Sequence, residues 1–195
     1  GCSAQVLLDS KSVSSRYIFT SNDTSSCRYN CGIPFQPTNA SGTEGTDKIS
    51  ANQKARLNTP SSSDGDSVVN YLRGIKTDEQ VGLYRSRPHI LGDTIDAEPL
   101  VIREPDHNYA DAGYQTFRTA NENRTRIILQ PSNDGMVHAF NSLTGAEEWA
   151  YVPDLLISAT KNSDPNNAST AILNTRTRKA NFNHYFMIDA TPASG

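Results

Sequence analysis

The sequence is poor in tryptophan, methionine and cysteine, and it has no long apolar run. It contains 1 Trp, 2 Met and 3 Cys among 195 residues. Its apolar stretches, such as Ile127 to Leu129, are far shorter than the roughly 18 residues that a membrane-spanning helix needs. We therefore expect no membrane span.

The chain also lacks an excess of charge of either sign. It has 18 Lys and Arg against 21 Asp and Glu, which gives a formal net charge of -3. A basic surface dominates the affinity of proteins for nucleic acid, and this composition does not provide one. We expect no nucleic-acid partner, while a hydrophobic content of 35% is enough for a folded core.

The three cysteines leave more than one interpretation open. Cys27 and Cys31 frame the short polar segment CRYNC, whose spacing allows a local disulfide, and Cys2 is left over. Free thiols are the alternative. A zinc site is disfavoured because zinc needs about four ligands and no second Cys or His pair lies nearby in sequence. The disulfide interpretation indicates an oxidising compartment.

Residues 1–90 predict short strands and one long loop. Apolar pieces at Val6 to Leu8 and Tyr17 to Phe19 alternate with clusters of Ser, Asn and Asp, a pattern typical of strands joined by turns. Residues 36–49 have almost no apolar content. They indicate an exposed, disordered loop.

Two short helices are predicted after this loop. Ser50 followed by Gln53 forms a capping-box pattern, and the helix that it starts should end near Leu57. In SVVNYLRG, residues 67–74, the apolar residues recur at helical spacing and a Gly follows the last turn. Asp66 is placed to cap this second helix.

Strand signals dominate from residue 91 to 152. The candidate strands are Glu98 to Arg103, Thr125 to Gln130, Met136 to Phe140 and Glu147 to Val152. The last three are separated by PSNDG and NSLTG, each ending in the Gly that tight turns favour. They predict an antiparallel meander.

The remainder of the chain predicts a loop and the start of a new unit. Residues 153–183 read as a loop insertion, and their basic run (Arg176, Arg178 and Lys179) as solvated, with a contact to a partner protein as the alternative. His184 to Ile188 predict a strand that opens a further unit at 184–195. A pentapeptide pattern, I-D-A-x-P, occurs at 95–99 and again at 188–192, as repeating supersecondary units would produce.

Residues 139–149 read AFNSLTGAEEW. This is close to A-x-D-x-x-T-G-x-x-x-W, the tryptophan-docking motif of quinoprotein-like propellers, with Asn141 where Asp is usual. A Thr-Gly turn presents bare backbone, on which an aromatic ring can lie between neighbouring blades. An Asn side-chain carbonyl can still accept the turn hydrogen bond. The candidate structural residues are Asp134, Gly135, Ala139, Asn141, Thr144, Gly145 and Trp149.

Four segments occur in the order YLRG, LGDTIDAEPLV, NDGMVHAFNSLTGAEEWAYVP and HYFMIDATP. This ordered set resembles the propeller of the PilY-type family, the large tip-associated adhesins and assembly factors of type IV pili. The resemblance implies a non-enzymatic, extracellular, outer-membrane-associated protein at the pilus tip. It implies support of pilus extension and surface contact, with minor pilins and a host or abiotic surface as partners.

We therefore predict an all-β fold with short helices: a partial β-propeller with quinoprotein-like, antiparallel four-stranded blades. One tryptophan motif supplies one convincing blade, at 91–152, whereas a closed ring needs roughly four to eight. The chain also begins without Met and ends where an element opens. We interpret it as a fragment of a larger ring.

The sequence offers only weak candidates for acid–base chemistry. Glu147 and Glu148 are adjacent in a predicted strand, so their side chains should point to opposite faces and cannot act as a pair on one substrate. Both are expected to be solvated. The four histidines are scattered, and His138, in an apolar strand, is expected to be a core histidine with satisfied hydrogen bonds.

Two alternatives remain for the function. A pyrroloquinoline quinone dehydrogenase shares the tryptophan motif, but here the one Trp is used for docking and no Cys-Cys cofactor floor is present. A cofactor-free propeller scaffold of an outer-membrane assembly machine is the other. The segment Ser63 to Asp66 lacks the alternating oxygen ligands of calcium loops. We expect no cofactor or metal on this chain, and leave calcium to the rest of the propeller.

Overall fold

The computed structural model describes residues 3–23, 31–59, 62–158, 163–164, 167–180 and 182–194. The helices are α1 (Ala4–Ser10), α2 (Ala51–Leu57), α3 (Gly65–Arg73), α4 (Thr77–Gln80) and α5 (Tyr114–Ala120). Short 3-10 helices lie at Val13–Ser15, Asp154–Leu156 and Ile172–Thr177. The strands are β1 (Ile18–Ser21), β2 (Gly32–Pro34), β3 (Leu100–Ile102), β4 (Ile127–Ser132), β5 (Met136–Asn141), β6 (Glu147–Tyr151), β7 (Ser163–Asp164) and β8 (Asn167–Ala171).

A six-stranded sheet is the centre of the fold, in the order β2-β1-β6-β5-β4-β3. All neighbouring pairs are antiparallel except β1 and β6, which run parallel with Ile18 opposite Ala150. The fold is thus built on strands with short helices, as predicted. The sheet is larger than the four antiparallel strands expected, because the segment before residue 35 adds a hairpin to the outer side of β6.

The predicted meander is confirmed as β4, β5 and β6. Its turns contain Gly135 at φ 94° and Gly145 at φ 73°, a left-handed conformation that glycine adopts without steric cost. In register, Ala139 lies opposite both Leu129 of β4 and Trp149 of β6. Two Gly-marked turns therefore fix three strands in one antiparallel unit.

The hydrophobic core lies between the β1–β6–β5 part of the sheet and helices α2 and α3, with the 3-10 segment Ile172–Thr177 packed against α3. Its members come from distant parts of the chain: Ile18, Phe35, Ile49, Leu57, Val68, Val69, Tyr71, Leu72, Met136, Ala150, Val152, Leu156, Ile157 and Leu173. Burial of each large side chain stabilises the fold by about 1.5–3 kcal/mol before entropy is counted. The core therefore ties the N-terminal third of the chain to the meander.

Both predicted helices are confirmed, with their local capping. The Ser50 hydroxyl accepts a hydrogen bond from the Gln53 backbone, and the Gln53 side chain accepts one from the Ser50 backbone. Gly74 ends α3 in the left-handed conformation. The cap predicted at Asp66 is wrong: Asp66 lies inside α3, where it accepts hydrogen bonds from Thr38 and pairs with Lys54.

The strand predicted at Val6 to Leu8 is wrong, because this segment forms helix α1. Ser3 caps the helix by accepting a hydrogen bond from the Val6 backbone. Its apolar residues are too few to distinguish the helical period from the strand period. The helix lies against the turn between β5 and β6, where Leu7 approaches Gly145.

Residues 36–49 form hydrogen-bonded turns in place of the predicted disordered loop. Ile49 is fully buried and its backbone donates to the Gln36 carbonyl, while the Lys48 ammonium donates to the Ala40 carbonyl. A single apolar residue at the end of a polar segment is a weak sequence signal of burial. Ile49 nevertheless lies in the core and anchors the segment there.

The prediction of an unstructured insertion at 153–183 is also wrong in part. The segment contains the β7–β8 hairpin and two 3-10 helices, and its residue Leu173 is in the core. The strand predicted at His184 to Ile188 is not formed: within 182–194 no strand is present, because these residues have no strand neighbour in the described part of the chain. The division into units at 91 and 184 stays a prediction.

Candidate functional site

A carboxylate at the start of β6, Glu147, is the centre of a buried group of charges. The guanidinium of Arg16, just before β1, donates two hydrogen bonds of 2.8 Å to it, one to each carboxylate oxygen. Both side chains are completely inaccessible to solvent. Such a bidentate pair is the strongest common geometry for an ion pair in a protein interior.

His138, on the neighbouring strand β5, continues the group. Its Nδ1 lies 2.8 Å from a carboxylate oxygen of Glu147, and its Nε2 lies 2.9 Å from a carboxylate oxygen of Asp134. The imidazole is fully buried. We call Arg16, Glu147, His138 and Asp134 the charge network.

Asp134 connects the charge network to the loop before β3. One of its oxygens accepts from the Gly92 backbone at 3.0 Å, and the other from the Met136 backbone at 3.0 Å. A Cβ atom at Gly92 would lie 2.3 Å from the Asp134 backbone nitrogen, so only glycine fits this approach. The turn between β4 and β5 is thereby fixed to a residue 42 positions away in sequence.

Arg16 also connects the charge network to helix α3. Its remaining terminal nitrogen donates to the carbonyl of Arg73, the last residue of the helix, at 2.6 Å. A positive charge at a helix C-terminus interacts favourably with the free carbonyls there. One guanidinium therefore holds the sheet, the N-terminal segment and α3 together.

The four groups hold each other in their charged forms. Burial would raise the pKa of Asp134, but the positive charge and the hydrogen bond of His138 outweigh it and lower the pKa to about 2. Burial likewise opposes ionisation of Glu147, yet hydrogen bonds from His138 and Arg16 bring its pKa to about 2. For His138 burial favours the neutral form, and the two carboxylates raise its pKa to about 9. Two positive and two negative charges result at neutral pH.

This arrangement is suited to holding a structure rather than to acid–base catalysis. A general base needs a free ring nitrogen within reach of a substrate proton, and both nitrogens of His138 are engaged. The buried carboxylates are neutralised by the two cations. The charge network can therefore orient the loops around it, and it has no exposed group with which to act on a substrate.

A cavity of about 180 Å³ lies beside the charge network and shares Asp134 with it. Its wall is rich in cationic side chains: Arg85, Arg87 and Arg176 line it together with Leu72, Pro88, His89, Ile90, Leu91, Gly92, Asp93 and Asp134. The charge network keeps Gly92 and Asp134 in place and thus forms one wall of this cavity. The cavity and the network together are the candidate functional site.

The sequence predicted part of this site. His138 is a core histidine with satisfied hydrogen bonds, as expected. Glu147 and Glu148 do point in different directions, but only Glu148 is exposed, so the expectation of a solvated Glu147 is wrong. The solvated loop predicted for the basic run is wrong for Arg176, which is 7% exposed.

The reason for these errors is that the partners lie far away in sequence. Arg16 precedes Glu147 by 131 residues, and no local pattern links them. One local signal was available, since a histidine in the apolar strand MVHAF needs polar partners if it is buried. That signal indicates that His138 has buried polar partners, but it does not identify them.

The tryptophan-motif residues lie at the opposite end of the meander from the Asp134 turn. Asn141 accepts turn hydrogen bonds from the Leu143 and Thr144 backbones at 3.0 and 3.1 Å, so Asn replaces the usual Asp in this role as predicted. Trp149 is half-buried on β6. The docking role of its ring stays a prediction.

Two further predictions concern metal and disulfide. Asp64 accepts hydrogen bonds from Thr59 and Tyr84, so, like Asp66, it is already engaged within the fold. In the described ranges no cluster of three or more His, Cys, Asp or Glu side chains is placed to hold a metal ion. The disulfide predicted between Cys27 and Cys31 falls partly outside the described residues, because Cys27 is not among them, and it stays a prediction.

Comparison with known proteins identifies relatives of one kind. The type IV pilus biogenesis factor PilY1 of Pseudomonas aeruginosa strain UCBPP-PA14 is 28% identical over 158 residues, which cover 77% of this chain and 13% of that protein. The PilY1 homolog of Xylella fastidiosa strain Temecula1 is 36% identical over 94 residues, 44% of this chain and 8% of the relative. PilY1 of P. aeruginosa strain PAK is 31% identical over 118 residues, 54% and 10% respectively.

The matched part of the chain thus corresponds to about a tenth of the length of these relatives. No protein-family model and no solved structure matches the chain. In the part of the chain that the structure describes, every helix is too short or too polar to cross a membrane.

Substitution of Glu147 tests whether the charge network stabilises the fold. Glu147→Gln keeps the shape of the side chain but leaves two buried cations with one carboxylate. We expect a loss of about 3–5 kcal/mol in the free energy of unfolding, measured by urea denaturation. Glu148→Gln, at the exposed neighbour, is the matched control and should change it by less than about 0.5 kcal/mol. Equal effects of the two substitutions would contradict the role of the network.

The charge network also predicts a dependence of stability on pH. His138 has a raised pKa of about 9, so its contribution is complete below about 6.5, the ordinary pKa, and is lost as the pH rises through 9. Asp134 and Glu147 have lowered pKa values of about 2. Their contribution to stability is therefore complete above about pH 4.5 and is lost as the pH falls towards 2. The free energy of unfolding should be greatest between about pH 4.5 and 6.5.

His138→Gln should remove the decline on the alkaline side in the same urea titrations. His107→Gln, at a histidine whose side chain is 69% exposed, should retain it. An alkaline decline of unchanged slope in His138→Gln would show that another group causes it.

Proposed function

Because the chain belongs to the PilY1-type family of type IV pilus biogenesis factors, we propose that it is a non-enzymatic, extracellular β-propeller portion of a pilus-tip adhesin. It supports pilus assembly and extension, and it takes part in attachment to surfaces. Minor pilins are its immediate partners at the tip. The observation that carries the propeller assignment is the contact between the two copies of the I-D-A-x-P pattern.

The two copies lie side by side, although 93 residues separate them in sequence. The Asp96 backbone donates to the Asp189 carboxylate at 3.0 Å, and the Glu98 backbone donates to the Thr191 hydroxyl at 3.0 Å. Both hydrogen bonds join equivalent positions of the two copies, since each spans 93 residues. Adjacent blades of a propeller bring the same position of successive repeats together in this way.

The antiparallel strands β3, β4, β5 and β6 are the second support for a blade. Four antiparallel strands in sequence order are the unit from which propellers are built. In this proposal the next blade opens at the second I-D-A-x-P copy. The half-buried ring of Trp149 lies on β6, at one side of the unit, where it can dock against a further blade.

The segment between β3 and β4 is the best candidate for surface contact. It carries a group of exposed aromatic rings in mutual contact, with centroid distances of 5.2 Å between His107 and Tyr109, 5.1 Å between Tyr109 and Tyr114, and 6.0 Å between Tyr114 and Phe117. Tyr109 is 52% exposed and Phe117 is 48% exposed. Recognition is concentrated on such loops, held by a rigid sheet.

The charge network favours this non-enzymatic role over the quinoprotein dehydrogenase alternative. The acidic and imidazole groups of the network are buried and paired with each other. A cofactor-free scaffold of an outer-membrane assembly machine differs from our proposal in its consequences for pili. Loss of a scaffold would leave pilus number unaffected, whereas loss of a pilus assembly factor would reduce it.

Two substitutions in the full-length protein separate assembly from attachment. Trp149→Ala should lower the level of folded protein and the amount of pilin recovered from the cell surface, because the ring no longer docks between blades. The double change Tyr109→Ser and Phe117→Ser affects only exposed rings, so pilin recovery should stay normal while attachment of cells to an abiotic surface falls severalfold.

The reference for both variants is the deletion strain that carries the unsubstituted gene. Normal pilus number in the deletion strain would contradict an assembly role and favour the outer-membrane scaffold. Normal protein level and stability in Trp149→Ala would contradict the docking role of this ring.

A further inference from the structure

The wall of the cavity beside the charge network contains three arginines. Of its three arginines, Arg87 is already paired. Its guanidinium donates to Glu79 at 2.7 and 2.9 Å, and it lies 3.6 Å from the centre of the Tyr71 ring. The cationic character of the cavity therefore depends on the other two, Arg85 and Arg176.

Arg176 has an incomplete set of hydrogen bonds. The side chain is more than nine-tenths buried, and within the described residues its Nη1 has neither solvent nor a hydrogen-bond partner. A buried donor of a charged group without a partner is strongly unfavourable. Burial lowers the pKa of Arg176, Asp134 opposes this shift, and the neighbouring charge of Arg85 adds to it.

Arg85 and Arg176 lie close together. The guanidinium carbons are 4.2 and 5.5 Å from the centre of the same ring, that of Phe182, and Arg85 Nε donates to the Arg176 carbonyl at 3.3 Å. The backbone of Arg85 is fixed in turn by a 2.8 Å hydrogen bond to the Thr177 carbonyl. Both guanidinium groups thus lie against one ring at the wall of the cavity.

The acidic side chains of the cavity, Asp134 and Asp93, compensate the charge of Arg176 only in part, because they also have other partners. Asp134 accepts from Gly92, Met136 and His138. Asp93 lies 2.7 Å from the His184 ring and accepts from the Asn133 side chain at 3.2 Å. Their negative charges do, however, disfavour a doubly charged anion in the cavity.

We propose that this cavity is a binding site for a single carboxylate group, held by the guanidinium groups of Arg176 and Arg85. The planar fork of an arginine matches a carboxylate, and a monoanion would reduce the repulsion between the two guanidinium groups. The volume of about 180 Å³ is close to the roughly 150 Å³ that accommodates a benzene molecule, so it admits one small acid or one acidic side chain. This site is independent of the proposed function at the pilus.

The carboxylate can come from a free acid or from an acidic residue of a partner segment, and the two sources can be distinguished. Acetate is the probe for a free acid, and the blocked tripeptide acetyl-Gly-Glu-Gly-amide is the probe for a peptide side chain, with its Gln analogue as control. Phosphate at the same ionic strength is the probe for a dianion. Binding is measured by NMR titration of the arginine Nε–H and Gly92 amide signals.

We expect saturable shifts with acetate or with the Glu peptide, and none with the Gln peptide. Arg85→Gln and Arg176→Gln should each weaken binding at least tenfold. Arg103→Gln removes the same charge at an exposed residue outside the cavity and should leave binding unchanged.

Binding of acetate would identify a free acid as the ligand, and binding of the Glu peptide alone would identify a partner segment. The proposal fails if neither probe saturates, if phosphate binds more tightly than both, or if binding persists in the arginine variants. If Arg176→Gln does not fold, Arg85→Gln, at a half-buried residue, tests the proposal by itself.

Discussion

The bidentate pair between Arg16 and Glu147 is the interaction on which the rest of the structure depends. It places a guanidinium where the N-terminal segment, the sheet and the end of α3 meet. Both groups are inaccessible to solvent. Removal of either one would leave a buried charge without its partner, which destabilises the fold strongly. His138 then extends the pair to Asp134, which fixes the loop at Gly92. Four charges that sum to zero thus unite segments that are distant in sequence.

The features that the sequence predicted correctly are those determined by nearby residues. The capping box of Ser50 and Gln53, the Gly-marked turns of the meander and the acceptor role of Asn141 each depend on contacts within a few positions. The features that it did not predict depend on distant partners. Glu147 and Arg176 read as solvated because nothing near them in sequence indicates their burial, and α1 is too short for its period to be recognised.

The charge network and the arginine-lined cavity adjoin each other and share Asp134. The network holds Gly92 and Asp134 in the wall of the cavity, whereas Arg85 and Arg176 are held by the segment after β8 and by Phe182. The carboxylate site that we propose thus has a wall held by the network on one side and two arginines on the other.

The protonation state of His138 tests the central claim, that the network is fully charged, most directly. Nitrogen-15 chemical shifts of the imidazole distinguish a ring protonated at both nitrogens from either neutral tautomer. Since the two carboxylates raise its pKa to about 9, we expect both nitrogens to remain protonated throughout a titration from pH 5 to about 8. A neutral ring at pH 7 would contradict the account, because the buried group would then carry an uncompensated negative charge.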